Sequence, residues 1–174
     1  MKSKRMRLRR FQMSDLPNMM ELESDAEVMK FTSLRVPLTS EQTEQRLKTL
    51  IENEEANAPL GVWAAELVPP TNESADFVGW FMLLQRDPNF PAELCFMIVR
   101  RHWGKGLTAE AAACLVDLGL NQLKLSSIVA KTDPANIASK RVLEKLGFKF
   151  SKTISNPDKV FQRDVQLAVF ELSK

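Results

Sequence analysis

The sequence predicts a single α/β domain in which helices connect the strands of one mixed sheet. Short stretches with the two-residue period of strands alternate along the chain with stretches of helical period. Hydrophobic residues make up 44% of the chain and charged residues 26%, as in folded globular proteins. The 174 residues contain no internal repeat or low-complexity linker, so we expect one domain over residues 1–174.

The first third of the chain predicts one strand followed by helices. Apolar residues alternate over Arg5–Phe11, which indicates a strand. Ser14 is expected to be the N-cap of a first helix, and a short second helix is expected over Ala26–Phe31. Thr39–Gln42 has the spacing of a capping box and opens a longer helix, whose solvated end we place at Glu52–Asn57.

The middle of the chain predicts three strands and a helix. Leu60–Leu67 and Phe77–Leu84 are apolar runs separated by the turn-forming segment Pro69–Ser74, which indicates an antiparallel hairpin. Glu93–Val99 is the next strand. The period then becomes helical, with one apolar stripe formed by Ala112, Leu115, Val116, Gly119 and Leu123.

The last third predicts three more strands around one helix. Ser127–Thr132 indicates a strand, and Asn136–Leu146 a helix that ends at Gly147. Phe148–Ser151 begins another strand, and Val165–Leu172 closes the sheet.

Composition argues against several classes of protein. The formal charge is only +2, so no strong attraction to nucleic acid or to an anionic membrane is expected, and the basic residues of the first strand are explained by exposure. Cys95 and Cys114 lack metal-ligand spacing and His102 is the only histidine, which argues against a zinc site and against any metal. The chain has no apolar run long enough for a signal peptide or a membrane span, so we expect a cytoplasmic location.

A glycine-bearing loop between the Glu93 strand and the alanine-rich helix has the features of a phosphate-binding site. Gly104 and Gly106 allow the backbone to approach a ligand closely, and the first amides of the helix point outward with the positive end of its dipole behind them. The alternative is that the two glycines only make a tight turn. Further contacts to an anion are available from Arg101, Lys105 and Thr108.

A second segment makes this interpretation more specific. Asn136–Phe148 follows a strand and an Asp133-Pro134 turn. Together the two segments resemble the signature regions of the GNAT superfamily of N-acetyltransferases, in particular its RimJ/RimL-like branch, where a Trp-Gly-Lys-Gly loop precedes an Asn-x-x-Ser helix ending in Gly-Phe. The similarity extends to the opening strand, to Asp25–Met29 and to Phe77–Trp80, and so covers nearly the whole chain.

The resemblance implies a mixed, mostly antiparallel α/β (α+β) sheet of about seven strands, splayed between strands 4 and 5, with about four helices. It implies acetyl-coenzyme A as co-substrate, with the pantetheine in the gap and hydrogen-bonded to the backbone of Met97, Ile98 and Val99. Asn136 and Ser139 would face the thioester end, while Lys140 and Arg141 would lie near the nucleotide. The loop residues implied to hold the diphosphate are Arg101, Trp103, Gly104, Lys105, Gly106, Leu107 and Thr108.

The resemblance also suggests residues for the chemistry. Glu93 matches a position where the family often has a carboxylate, and could take the proton of the amine; the alternative is an exposed strand residue. Many GNAT enzymes use a tyrosine as general acid seven residues after the asparagine, but this chain has Leu143 there and no tyrosine anywhere. Ser139 is the nearest hydroxyl that could assist the departing sulfur. Asn136 could equally serve only as a helix N-cap.

The implied partner is an amine acceptor, either a small molecule or a protein N-terminus. An α-amine is more often neutral at cellular pH than a lysine, which favours the N-terminus. A polyamine or aminoglycoside acetyltransferase and a non-catalytic acyl-coenzyme A binding module are the alternatives, and the protein is expected to be a monomer or homodimer. We expect His102 to contact solvent or phosphate, and four acidic residues to form a solvated helical face: Glu21, Glu23, Asp25 and Glu27.

Overall fold

A computed structural model describes residues 1–68, 75–158 and 163–174, which contain one seven-stranded sheet. The strands are β1 (Met6–Arg9), β2 (Gly61–Leu67), β3 (Phe77–Leu84), β4 (Ala92–Ile98), β5 (Ser127–Thr132), β6 (Lys149–Asp158) and β7 (Arg163–Ser173). Their order in the sheet is β1-β2-β3-β4-β5-β7-β6, and every neighbouring pair is antiparallel except β4 and β5, which are parallel. The predicted mixed, mostly antiparallel sheet is confirmed.

Helices cover both faces of this sheet. Consecutive residues of an extended chain point to opposite faces of the sheet, and here they enter different apolar clusters. Ala65 and Ile98 pack with the helix α5 (Leu107–Val116). Ala64 and Val99 pack with α1 (Leu16–Ser24) and α3 (Ser40–Glu52) on the other face. The core therefore has two layers, one on each face. The helices are α1 (Leu16–Ser24), α2 (Ala26–Met29), α3 (Ser40–Glu52), α4 (Glu54–Asn57), α5 (Leu107–Val116) and α6 (Ile137–Lys145).

The helix starts follow the local capping chemistry, with one correction. Thr39 and Gln42 form the predicted capping box at the start of α3. Ser14 is not an N-cap, because it lies inside a 3-10 turn over Met13–Asp15 that Gln12 caps together with Asp15. The Asp15 carboxylate also binds the Arg9 guanidinium through two contacts of 2.7 and 2.8 Å, which ties this turn to β1.

The second correction concerns α1 and α3. Glu23 does not lie on a solvated face: its side chain is fully buried between the two helices. Arg46 Nε lies 3.0 Å from one carboxylate oxygen, but neither oxygen accepts a well-aligned hydrogen bond from the described residues. Burial raises the pKa of Glu23, and Arg46 and Thr43 offset only part of that rise.

The long helix after β4 differs from its prediction in its second half. The apolar stripe continues past Val116, but Asp117–Gln122 forms a π-helical turn that the sequence pattern did not indicate. Gly119 lies in this turn, and a Cβ there would come within 2.8 Å of the Ile128 side chain on β5. The turn thus brings the helix end close to β5. The hairpin turn expected at Pro69–Ser74 lies outside the described residues.

The sheet opens between its two parallel strands. β4 and β5 pair only at Ala92 with Ile128 and at Glu93 with Val129, whereas β4 stays paired with β3 as far as Ile98. The two strands diverge beyond Glu93, as the resemblance implied. In the three described ranges, no helix is long and apolar enough to cross a membrane.

Candidate active site

The loop predicted to bind phosphate, residues 101–108 and called the phosphate loop below, lies directly after β4, beside the wide end of this opening. After β4, a 3-10 turn covers Arg100–His102, and α5 begins at Leu107. Gly104 and Gly106 both have φ of +73°, a left-handed backbone conformation that residues other than glycine adopt only with strain. The loop geometry therefore requires both predicted glycines.

The main-chain amides of this loop are free. Across the described part of the chain, no acceptor is found for the amides of Gly104, Lys105, Gly106, Leu107 and Thr108. Left-handed residues next to a helix start turn successive N–H groups toward one concave surface, and the helix dipole adds partial positive charge there. Such a surface binds an anion with several oxygens, such as a diphosphate.

Two loop side chains that we expected near the anion instead hold the base of the loop. His102 is buried, with Nε2 at 2.9 Å from Asp76 Oδ2 in a contact that is electrostatic rather than a well-aligned hydrogen bond. The expected solvent or phosphate contact of His102 is wrong, because this pair fixes the ring against β3. Arg101 binds Asp76 at 2.8 Å and also pairs with Glu21 of α1. Its guanidinium is thus engaged on the α1 side.

These contacts set the charge state of Asp76. Burial alone would raise its pKa, but the hydrogen bond and charge of Arg101, together with the close contact of His102, outweigh burial and lower the pKa. Lys105 Nζ lies 3.3 Å from His102 Nδ1. Asp76 is therefore ionised at neutral pH, and it anchors the base of the loop through Arg101 and His102.

The register of β3 and β4 decides which main-chain groups of β4 face the opening. Gly79 lies opposite Ile98, and the Val99 amide donates to Val78 at 3.0 Å, so Ile98 belongs to a pair whose own N–H and C=O point away from β3. The main-chain groups of Met97 point toward β3 instead, and its carbonyl lies against Gly79. Of the three predicted backbone contacts, those of Met97 and Val99 are already used by protein groups, which corrects that part of the prediction.

Trp103 lies across the mouth of the opening. Its indole Nε1 donates to the Ile98 carbonyl at 2.8 Å, and 47% of the residue surface is exposed. Ile98 therefore offers a free amide to the opening, while its carbonyl is covered by a side chain that solvent can reach.

Glu93 marks the narrow end of the opening. Its carboxylate accepts a hydrogen bond from Lys131 on β5 at 3.1 Å, and its Oε1 lies 3.8 Å from Cys95 Sγ. Burial, with a smaller contribution from Glu93, raises the pKa of Cys95 to about 12, so this thiol is protonated and a poor nucleophile at neutral pH. The carboxylate is the basic group at this point of the site.

The start of α6 carries the second predicted group. The Asn136 side chain accepts a hydrogen bond from the Ser139 amide at 3.0 Å, which confirms its role as N-cap of α6. Asp133, in the turn before it, pairs with Arg35 at 2.6 Å and so connects the turn to the segment between α2 and α3. Ser139 is partly buried, whereas Arg141 is exposed.

The loop and the opening are thus adjacent, and other features stand apart from them. A cleft of about 530 Å³ lies on the far side of α6, over β6 and β7, and Lys140 is its one predicted site residue. Within the described ranges, no group of three or more His, Cys, Asp or Glu side chains could hold a metal ion.

Sequence reasoning missed two residues of the site and one contact. The residues are Lys131, which pairs with Glu93 from the neighbouring strand, and Arg5, which contacts the loop from 100 residues away. The contact joins Trp103, a predicted site residue, to the Ile98 carbonyl. These contacts depend on strand register and on where the chain start lies in space. No local pattern carries that information.

Comparison by sequence finds a matching family model and related proteins. The family model for the acetyltransferase (GNAT) domain matches residues 5–149. An uncharacterized N-acetyltransferase, p20 of Bacillus licheniformis, is 28% identical over 172 residues, which cover 99% of this chain and 94% of that protein.

Solved structures share the fold. A GNAT-family acetyltransferase from Bacillus anthracis aligns with a TM-score of 0.84 at 23% identity, covering 99% of this chain and 96% of its own. A spermidine N-acetyltransferase from Vibrio cholerae, solved with CoA and spermine, gives 0.78 at 16% identity, with 97% and 95% covered. RimL, a ribosomal L7/L12 α-N-protein acetyltransferase solved with coenzyme A, gives 0.77 at 14% identity, with 98% and 95% covered.

Proposed function

The chain belongs to the GNAT acetyltransferase family, and on that premise we propose that it transfers an acetyl group from acetyl-coenzyme A directly to a primary amine. The observation that carries this proposal is the row of free main-chain amides from Gly104 to Thr108, placed at the wide end of the opening between β4 and β5. A co-substrate that joins a diphosphate to a long, amide-bearing arm matches both features.

The residues present fit coenzyme A. The amides of Gly104, Gly106 and Thr108 would bind the diphosphate, assisted by the dipole of α5. The pantetheine would lie along β4 like an added strand. The free amide of Ile98 would then donate to one of its amide oxygens. Trp103 would then exchange its bond to the Ile98 carbonyl for a position over this arm.

Bound acetyl-coenzyme A supplies a thioester whose acyl carbon an amine can attack. We assign Glu93 to accept the amine proton, directly or through water, because its carboxylate lies at the narrow end of the opening and is oriented by Lys131. The C–N bond forms as the C–S bond breaks, and the sulfur leaves as a thiolate that the Ser139 hydroxyl would hydrogen-bond. A thiol with an ordinary pKa of about 8.5 leaves readily, so the missing tyrosine is not required.

For the acceptor we propose a protein N-terminal α-amine, as in the RimJ/RimL-like branch. Its reference pKa of about 7.7 to 8.0 leaves a useful neutral fraction at pH 7.5, so a single carboxylate base suffices. A small polyamine is the second candidate, since a spermidine N-acetyltransferase is among the structural neighbours.

A panel of amines tests the proposed function. Release of the CoA thiol is measured with acetyl-coenzyme A and peptides that differ in their N-terminal residue, alongside spermidine, an aminoglycoside and free amino acids. Amine-dependent release with at least one peptide supports the proposal, and N-terminally blocked versions of that peptide are the control. Release only with spermidine selects the second candidate, whereas CoA binding without release under any condition identifies a non-catalytic binding module.

A further inference from the structure

We propose that Arg5 is a positioning residue for the diphosphate of coenzyme A, acting through the main chain of the phosphate loop. The inference rests on the proposed function, because it assumes that the loop binds this diphosphate. Arg5 lies just before β1, and its partners in the loop are about 100 residues away in sequence.

Arg5 fixes the orientation of one peptide unit in the loop. Its Nη1 donates to the Lys105 carbonyl at 3.1 Å. In a trans peptide the carbonyl and the next N–H point in opposite directions, so this contact turns the Gly106 N–H away from Arg5. A left-handed glycine offers little resistance to rotation of that peptide, and the guanidinium supplies the restraint.

Glu110 connects the same arginine to the first turns of α5. One carboxylate oxygen accepts from Ser3 Oγ at 2.8 Å and from the Arg5 amide at 2.7 Å, and the other accepts from Arg5 Nε at 2.7 Å. An unpaired carboxylate in the first turn of α5 would repel a diphosphate bound at the helix start. The Arg5 charge neutralises it while holding the helix start in place.

The remaining nitrogen of Arg5 points along the loop. Nη2 lies 3.8 Å from the position that a Cβ on Gly106 would occupy. Of the Arg5 nitrogens, Nη2 is the one without an acceptor in the described part of the chain, and 45% of the side chain is exposed. The guanidinium therefore keeps one unpaired N–H beside the loop, while its charge offsets that of Glu110.

The test compares ligands that differ in their phosphates. Isothermal titration measures the Kd of CoA, dephospho-CoA and pantetheine for the wild type, for Arg5→Ala and for Lys4→Ala, which removes the same charge one residue away. For Arg5→Ala we expect the Kd of CoA and of dephospho-CoA to rise about tenfold, the size expected for losing one charge-assisted contact. The Kd of pantetheine and all three Kd values of Lys4→Ala should stay within about twofold of wild type.

Three results would overturn the inference. An equal loss for pantetheine means that Arg5 only supports the fold, a loss that vanishes with dephospho-CoA means that it contacts the 3′-phosphate, and unchanged affinities mean that it has no role. Arg5→Lys serves if the alanine variant does not fold, because it keeps the charge but cannot bind Lys105 and Glu110 together; a smaller loss with the same ligand pattern is expected. Wild type that does not bind CoA would contradict the proposed function itself, which separates the two failures.

Discussion

The ability of the phosphate loop to bind an anion depends on individual main-chain N–H groups, and its two glycines set the directions of these groups. Gly104 and Gly106 have left-handed backbones, and Leu107 and Thr108 begin α5 with amides that have no partner within the helix. Asp76 and Arg5 hold the loop from two sides. The free amides are consequently fixed before any ligand arrives, which limits the entropy lost on binding.

Thr108 allows one amide to be removed without disturbing α5. Proline is tolerated in the first turn of a helix, where the N–H has no intrahelical acceptor. We expect Thr108→Pro to raise the Kd of CoA about tenfold, because one hydrogen bond to a charged oxygen is lost. Thr108→Ala is the matched control, since it removes the hydroxyl and keeps the amide. Equal Kd values for the two variants by titration calorimetry would show that the amide does not bind the diphosphate.

Ser139 is the residue with which we replace the absent tyrosine. Ser139→Ala should lower kcat about three- to tenfold and leave the KM for acetyl-coenzyme A unchanged, because a thiolate needs only modest help to leave. Steady-state kinetics with the best amine of the panel provides the measurement. Cys114→Ala, whose thiol lies beside the Lys2 carbonyl at the start of the chain, is the control. Unchanged kcat for Ser139→Ala would remove Ser139 from the mechanism.

Residue-level prediction succeeded where the chemistry is local. The glycines, the Thr39 capping box and the Asn136 N-cap each follow from neighbouring residues, and their geometry is confirmed. His102 and Glu23 were misplaced because their environment is made by distant segments. A buried histidine that contacts an aspartate and a buried carboxylate leave no periodic signal in the sequence.

Among the elements, the parallel pair of strands is the one that makes a binding site possible. β4 and β5 share only two residue pairs, so the main chain of β4 beyond Glu93 has one side without a strand partner. The resemblance to a family implied this opening, since alternation alone predicts strands and not their divergence. The register with β3 then selects Ile98 over Met97 and Val99, and the sequence contains no indication of that register.

The contact between α1 and α3 carries a penalty that depends on pH. Burial raises the pKa of Glu23 above its value in the unfolded chain, despite Arg46 and Thr43. The folded state thus holds this proton more tightly, and stability falls as the pH rises from the ordinary glutamate pKa of about 4.3 through the raised folded value. Above the raised folded pKa the full penalty is present.

Removing the Glu23 charge should therefore stabilise the protein. We expect Glu23→Gln to raise Tm at pH 7 and to have little effect at pH 4, measured by thermal denaturation. Glu44→Gln, in an exposed pair with Lys48 on α3, is the control and should change Tm little at either pH. A lower Tm for Glu23→Gln at pH 7 would mean that the attraction of Arg46 exceeds the cost of burial.

At the scale of the whole molecule, the site is assembled from segments that are far apart in sequence. The start of the chain contacts α5 through Arg5 and Glu110, and α1 contacts the loop through Glu21 and Arg101. The segment before α3 contacts the turn before α6 through Arg35 and Asp133. The α/β class and the succession of strands and helices along the chain could be predicted from periodicity. These long-range contacts could not, because they exist only once the sheet has formed.

The central claim is that the amides of the phosphate loop bind the diphosphate of coenzyme A. The most direct measurement is a ¹H–¹⁵N NMR titration of the labelled protein with CoA and, separately, with pantetheine, following the amide signals of Gly104, Gly106 and Thr108. The account predicts saturable downfield amide-proton shifts of all three signals with CoA, and little change with pantetheine. Saturation by CoA that leaves these three signals in place, or shifts of the same size with pantetheine, would contradict it.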